Sequence, residues 1–279
     1  MTIAITGSTG AVGGATARAL AAEQPLRLIV RDAARAPELP GASVALANYG
    51  DREASLRALD GVDTLFMVSG AENERRLDEH RTFVSAAAAA GVRHIVYTSF
   101  IGASAHAVFT LGRDHGATEG FIHDSGMAYT ILRDNFYADF MQYMVGEDDV
   151  LRGPAGDGRV SIVARSDVAR VAATVLRDPA RHLDRTYELT GPEALTLSQI
   201  AGVLAAATGR GIRYHDETID EAYASRAKYG APDWQVDAWV STYTSIAAGE
   251  VAGVSSDIQR ITAAAPLSLA DVMAARAPQ

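Results

Sequence analysis

The residues best able to do chemistry stand near the start of the chain, where Ile3-Ala-Ile-Thr6 leads into Gly7-x-x-Gly10-x-x-Gly13 and then a helical pattern through Leu20. A diphosphate needs such an arrangement. Gly7 permits a tight turn after the strand, Gly10 lets the backbone approach phosphates without a Cβ, and Gly13 lets helix and strand pack closely. The first N–H groups of the helix, and its dipole, then face the negative charge. Gly7, Thr9, Gly10, Ala11, Val12 and Gly13 are therefore the candidate contacts to a dinucleotide. A glycine triplet alone also suits a purely structural turn; the strand before it and the helix after it favour the ligand.

The second strand ends in Leu28-Ile-Val-Arg31-Asp32. An acidic residue there would grip the ribose 2′-hydroxyl of NAD, whereas the guanidinium of Arg31 suits a 2′-phosphate. NADP (as NADPH) is favoured, with Asp32 keeping NAD as the lesser alternative. Ligands of parallel sheets lie beyond the carboxyl ends of the strands, which makes Asn48, Val68, Ser69, Thr98 and Ser99 further candidates for the cofactor. Ordinary loop chemistry is the competing account of Asn48 and Ser69.

The elements that must position these residues alternate. Apolar runs at Ile3–Thr6, Leu26–Val30, Val44–Ala47, Thr64–Val68, His94–Thr98 and Ala128–Leu132 are separated by helical patterns at Val12–Ala22, Ala54–Leu59, Glu72–Ala90 and Asp114–Asp124. This alternation predicts an α/β fold: a Rossmann-like doubly wound parallel sheet over residues 1–140. Residues 141–279 are expected to form a smaller, mixed C-terminal lobe, partly integrated with the first, that closes the substrate pocket. They include a Ser166–Leu176 helix, a Thr186–Thr190 strand and a Thr196–Thr208 helix capped by Thr196. Trp234 and Trp239 lie in a segment suited to a lid, a dimer surface or helix packing.

Bulk properties narrow the function. The formal charge of −9 and the lack of a compact Lys/Arg cluster argue against nucleic acid and membrane surfaces as partners. With no cysteine, thiolate nucleophiles, Cys-ligated zinc and iron–sulfur clusters are excluded. The seven histidines lack zinc-binding spacing and no Gly-x-Ser-x-Gly elbow occurs, so neither a metal site nor the commonest hydrolase is expected. No basic n-region with an apolar h-region follows Met1, and the expected location is cytoplasmic. A homodimer stays open.

Taken in order, the glycine motif, Arg31, Gly91-Val-Arg-His-Ile-Val-Tyr-Thr-Ser99 and Tyr129-Thr-Ile-Leu-Arg133-Asp-Asn135-Phe-Tyr137 resemble the NmrA-like atypical short-chain dehydrogenases. The similarity is greatest to their bacterial quinone-reductase and triphenylmethane-reductase members. It implies a cofactor contact at Asn135 and a catalytic contribution from Tyr137. The usual Tyr-x-x-x-Lys pair of short-chain dehydrogenases is absent, because Lys228, the only lysine, is preceded four residues earlier by Ala224. The sequence instead carries His115 and Glu119, four apart on one helix face, a spacing that also resembles the quinone-reductase relatives. His115 is thus a candidate proton donor or cofactor contact, with a structural helix histidine as the alternative. Without the lysine, a simple ketone is a poor acceptor, whereas a quinone spreads the incoming charge over a conjugated system. The expectation is NADPH-dependent hydride transfer to an aromatic, quinone-like acceptor, covered by Phe100, Phe109, Phe136, Tyr137 or Tyr143, each of which equally suits plain core packing. The alternatives are a non-catalytic NADP-binding redox sensor and a reductase of another small molecule such as an imine or enone.

Overall fold

Residues 2–275 of the chain are described by a computed structural model. β1 (Ile3–Thr6) is wholly buried and passes through the glycine turn into α1 (Ala11–Leu20). There follow β2 (Leu26–Val30), β3 (Ala42–Leu46), α2 (Arg52–Leu59), β4 (Thr64–Met67), α3 (Arg76–Ala89), β5 (His94–Phe100), α4 (Thr110–Asp124) and β6 (Ala128–Asp134). Beyond a 3-10 turn at Ala138–Met144 come β7 (Val150–Gly153), β8 (Arg159–Val160), α5 (Arg165–Arg177) and β9 (Arg185–Leu189). The chain continues with β10 (Leu195–Thr196), α6 (Leu197–Thr208), β11 (Arg213–Asp216), α7 (Ile219–Arg226), α8 (Asp233–Ala247), α9 (Asp257–Thr262) and α10 (Leu269–Ala274).

Seven strands form one sheet in the order β3-β2-β1-β4-β5-β6-β9, and every pairing is parallel. Buried on both faces, β1 and β4 are almost wholly apolar, as suits internal parallel strands, while β5 is equally buried but carries His94, Thr98 and Ser99. One face packs on α1 and α5 through Ile3, Ile5, Leu28, Val168 and Val171. The other packs on α2, α3 and α4 through Leu59, Leu65, Phe83, Ile95 and Ile122. The order reverses between β1 and β4, and there the carboxyl ends of adjacent strands diverge to leave a crevice for ligands.

The structure differs from the sequence pattern in informative ways. β5 and β6 run two residues past their apolar cores because they pair to the end, Ser99 opposite Arg133 and Phe100 opposite Asp134. α3 begins at Arg76 rather than Glu72, since Asn73 Oδ1 accepts from Arg75 N at 2.8 Å and closes a turn there. The parallel sheet does not stop at residue 140: β9 is its seventh strand, and α5 covers α1. A separate core of Leu151, Ile200, Leu204, Tyr243 and Ile246 organises the remaining elements. The capping box Thr196–Gln199 fixes the start of α6. No described helix is long and apolar enough to cross a membrane.

Candidate active site

The glycine turn is held by backbone alone. Gly7 has a φ of +63°, and a Cβ there would lie 2.8 Å from Val68 Cβ. A Cβ at Gly13 would overlap the Gly7 carbonyl, so only glycine lets α1 approach this closely. No side chain caps α1 at Gly10, while Thr9, Gly10 and Ala11 are exposed and Val12 is buried. An uncapped helix N-terminus behind an exposed glycine loop fits a diphosphate. Around it, Thr6 Oγ1 accepts from Val68 N at 2.9 Å, Tyr49 OH donates to Val68 O at 2.6 Å, and Thr98 Oγ1 accepts from Ser69 N at 2.8 Å. These bonds lock the tip of β4 to its neighbours.

At the end of β2, Arg31 and Asp32 are both exposed, but their situations differ. Asp32 Oδ1 accepts from Ala34 N at 3.0 Å and caps the short 3-10 helix Ala33–Arg35, which draws the carboxylate into the backbone. Asn48 is exposed beyond β3, its Oδ1 accepting from Gly50 N at 3.3 Å.

Beyond the tips of β4, β5 and β6 opens a cavity of about 1440 Å³. Ser69 and Gly70 enter it from β4, Phe100 from β5, and Asp134, Asn135, Phe136 and Tyr137 from β6 and the turn after it. One wall is aromatic: the Phe100 ring lies tilted at 4.9 Å from both Phe109 and Phe136, and the latter two rings lie 5.2 Å apart. Tyr143 and Trp239 line the outer part, which places α8 as a wall of the cavity.

Behind the Ser69-Gly70 tip lies a buried polar lattice. Gly70 N donates to His80 Nε2 at 2.8 Å and Gly70 O accepts from Arg76 Nε at 3.0 Å, so one residue is gripped from both sides. Arg76, 3% exposed, also pairs with Asp114 at 3.1 Å. Its Nη2 lies 3.1 Å from His115 Nε2. A guanidinium only donates, so His115 Nε2 accepts, and the neutral ring then carries its proton on Nδ1, 3.0 Å from Tyr97 OH. Burial first, then the Arg76 charge and His80, hold the His115 pKa well below its usual value. His115 therefore lines the cavity with both ring nitrogens committed.

Other residues singled out in the sequence divide in the same way. Ser99 is wholly buried and donates to Glu119 Oε1 at 2.5 Å, and Glu119 also holds Arg133 through both its oxygens. Asn135 Nδ2 donates to Ser161 Oγ and Val251 O, and its Oδ1 accepts from Phe136 N. Its amide is spent tying β6 to the C-terminal elements. Tyr137, in contrast, is half-buried on the cavity wall and donates to Asp134 Oδ2 at 2.5 Å. Arg165 stacks its guanidinium 4.8 Å from the centre of the Tyr137 ring. Sequence reasoning missed Tyr49, Arg76, His80 and Asp134; Tyr49 and Asp134 stand at or just past a strand's carboxyl end, whereas Arg76 and His80 belong to the first turns of α3, well beyond β4.

A glycine-turn nucleotide fold with a cavity at its strand tips is a dinucleotide-dependent architecture, and the chain belongs to the NAD(P)H-binding family, which it matches over residues 7–179. Among its curated relatives, quinone oxidoreductase 2 of Escherichia coli is 36% identical over 245 residues, covering 84% of each chain. The NAD(P)H azoreductase of Xenophilus azovorans is 33% identical over 269 residues, covering 93% of this chain and 92% of its own. The solved structure of an Escherichia coli NADPH-dependent quinone oxidoreductase complexed with NADPH superimposes with a TM-score of 0.90 at 33% identity, covering 98% of this chain and 99% of that one.

Proposed function

We propose that this protein is an NADPH-dependent oxidoreductase that reduces a quinone-like, conjugated acceptor. The observation that carries this reading is the aromatic-walled cavity opening at the strand tips beside the glycine turn. The relatives named for quinone and azo reduction support it, since both acceptor types are planar and electron-poor.

Gly7, Thr9, Gly10, Ala11, Val12 and Gly13 would hold the diphosphate through backbone N–H groups and the α1 dipole. Arg31 would pair with the 2′-phosphate, while Asp32 has one carboxylate oxygen engaged with Ala34 N. Asn48, Val68, Ser69 and Thr98 would border the cofactor along the strand ends. When bound, the reduced nicotinamide supplies the hydride. The Phe100, Phe109 and Phe136 cluster excludes water and offers ring faces against which a planar acceptor can lie. His115 holds Arg76, which holds Gly70, so its contribution is to keep the β4 tip in place.

The test is nicotinamide absorbance with purified protein and a panel of benzoquinone, menadione, an azo dye, an imine and a simple ketone. Rapid NADPH consumption with quinones and slow consumption with the ketone is expected. Preference for the ketone or imine would overturn the acceptor class, and tight NADP binding without turnover of any compound would point to a sensor.

A further inference from the structure

Reduction of a quinone by hydride requires one proton, and the residues that sequence reasoning offers for it are mostly closed. His115 donates its ring proton to Tyr97, Ser99 donates to Glu119, and Thr98 is bonded to Ser69 N. Among the ionisable groups that line the cavity, Asp134 and Tyr137 are hydrogen-bonded to each other at 2.5 Å, so a proton given up by one can be replaced from the other. Asp134, at the last position of β6, is 5% exposed; Tyr137, one turn further on, is half-buried and lines the cavity beside it.

We propose that Asp134 and Tyr137 form the proton-delivery pair of this site, with the buried Asp134 carboxyl as the reservoir and the Tyr137 phenol as the group that meets the acceptor oxygen. The proposal rests on the reductase reading above. An acceptor carbonyl that has received a hydride, its two electrons coming from the reduced nicotinamide, carries its charge as an oxyanion. With Asp134 protonated, the 2.5 Å bond runs from the carboxyl O–H to the phenol oxygen and the phenol O–H is released toward the cavity; that O–H bond then breaks and its proton passes to the acceptor oxygen, completing the hydroxyl. The Asp134 O–H bond breaks in turn and its proton restores the phenol. Asp134 is left as a carboxylate and regains one proton from solvent in each turnover.

The surroundings suit this task. Burial is the largest influence on Asp134 and raises its pKa, while the Tyr137 hydrogen bond and the Arg165 charge oppose it, leaving the carboxyl at about 7. An acid poised near the working pH is the efficient donor. The other groups facing the pair are Arg165, from α5, and Asp139, from the turn after β6. Arg165, over the phenol face, stabilises the negative charge that crosses the pair, and Asp139 accepts from Arg165 N at 2.8 Å and steadies the start of α5.

Two readouts test the pair. Infrared titration of the purified protein should show a protonated carboxyl band that disappears through about pH 7. The band should be absent in Asp134→Asn and should titrate at higher pH in Tyr137→Phe, which loses the bond that holds the pKa down. With NADPH and menadione, kcat should fall up to about tenfold per pH unit above that point in the wild type and lose this inflection in Asp134→Asn, while Tyr137→Phe should lose about a hundredfold in kcat. An inflection unchanged in Asp134→Asn, or full kcat in Tyr137→Phe, overturns the pair while leaving the reductase standing. A wild-type protein that reduces no quinone at any pH overturns the reductase reading and the delivery step with it. If Asp134→Asn folds poorly, Asp134→Glu and Tyr137→Phe decide by the same two readouts.

Discussion

The two ends of the site are built from different materials. The glycine turn is backbone: its geometry depends on the missing Cβ atoms of Gly7 and Gly13 and on the uncapped start of α1. The cavity end is side chain: Arg76, His80, His115, Asp134 and Tyr137, each held by specific partners from elements far apart in sequence. Backbone recognition tolerates little change in shape but is indifferent to pH. Side-chain recognition tolerates shape changes better and depends on protonation.

Experiments can set these two ends against each other, beginning with the largest expected effect. Gly13→Val forces a branched side chain into the Gly7 carbonyl, and calorimetry should show NADPH affinity reduced about a hundredfold or more, with little pH dependence. Loss of pH-sensitive stability instead of affinity would break the division.

Acid should strike buried histidines instead, one behind the β4 tip and one at the amino end of β5. His80 is held at about 3 and His94 at about 4, burial being the largest cause for both, so they stay neutral in the folded state but gain protons near 6.5 when unfolded. The stability they contribute is present above pH 6.5 and drains away as pH falls from there through the folded values, by several kcal/mol. The denaturant midpoint should drop between pH 6.5 and 4, and a flat midpoint over that window would contradict it.

Arg31→Ala should weaken NADPH by about tenfold to a hundredfold while NADH affinity stays within a factor of about two. Equal losses for both cofactors would remove Arg31 from the phosphate. The smallest effect is expected from His115→Phe, which deprives buried Arg76 of an acceptor and should cost about 1–2 kcal/mol of stability. Its kcat–pH inflection should stay where the wild type has it. A shifted inflection would make His115 a participant in proton transfer.

This division also explains what could be read in advance. The glycine turn was legible because glycine spacing is the mechanism, and β1 and β2 match their apolar runs to the residue. The last two residues of β5 and β6 were hidden because Ser99 and Arg133 are polar, and only Glu119 from α4 satisfies them inside the sheet. Asp134 looked like one more loop carboxylate. Its raised pKa comes from burial at the end of β6, held in check by a guanidinium from α5, and neither is local in sequence. His115 was visible by spacing, but its role depends on Arg76 reaching across from α3.

The seventh strand has a bearing on how this protein is made. β6 pairs with β5 on one side and, on the other, with residues 185–189, while α1 shelters against α5. A ribosome that has released only the first 140 residues presents a nascent chain with an open strand edge and a greasy helix flank, the features by which partly synthesised proteins stick to one another. Translation must proceed through Leu189 before that liability is cancelled, so a pause or a nick ahead of β9 would leave a fragment for the chaperones rather than a smaller nucleotide-binding module.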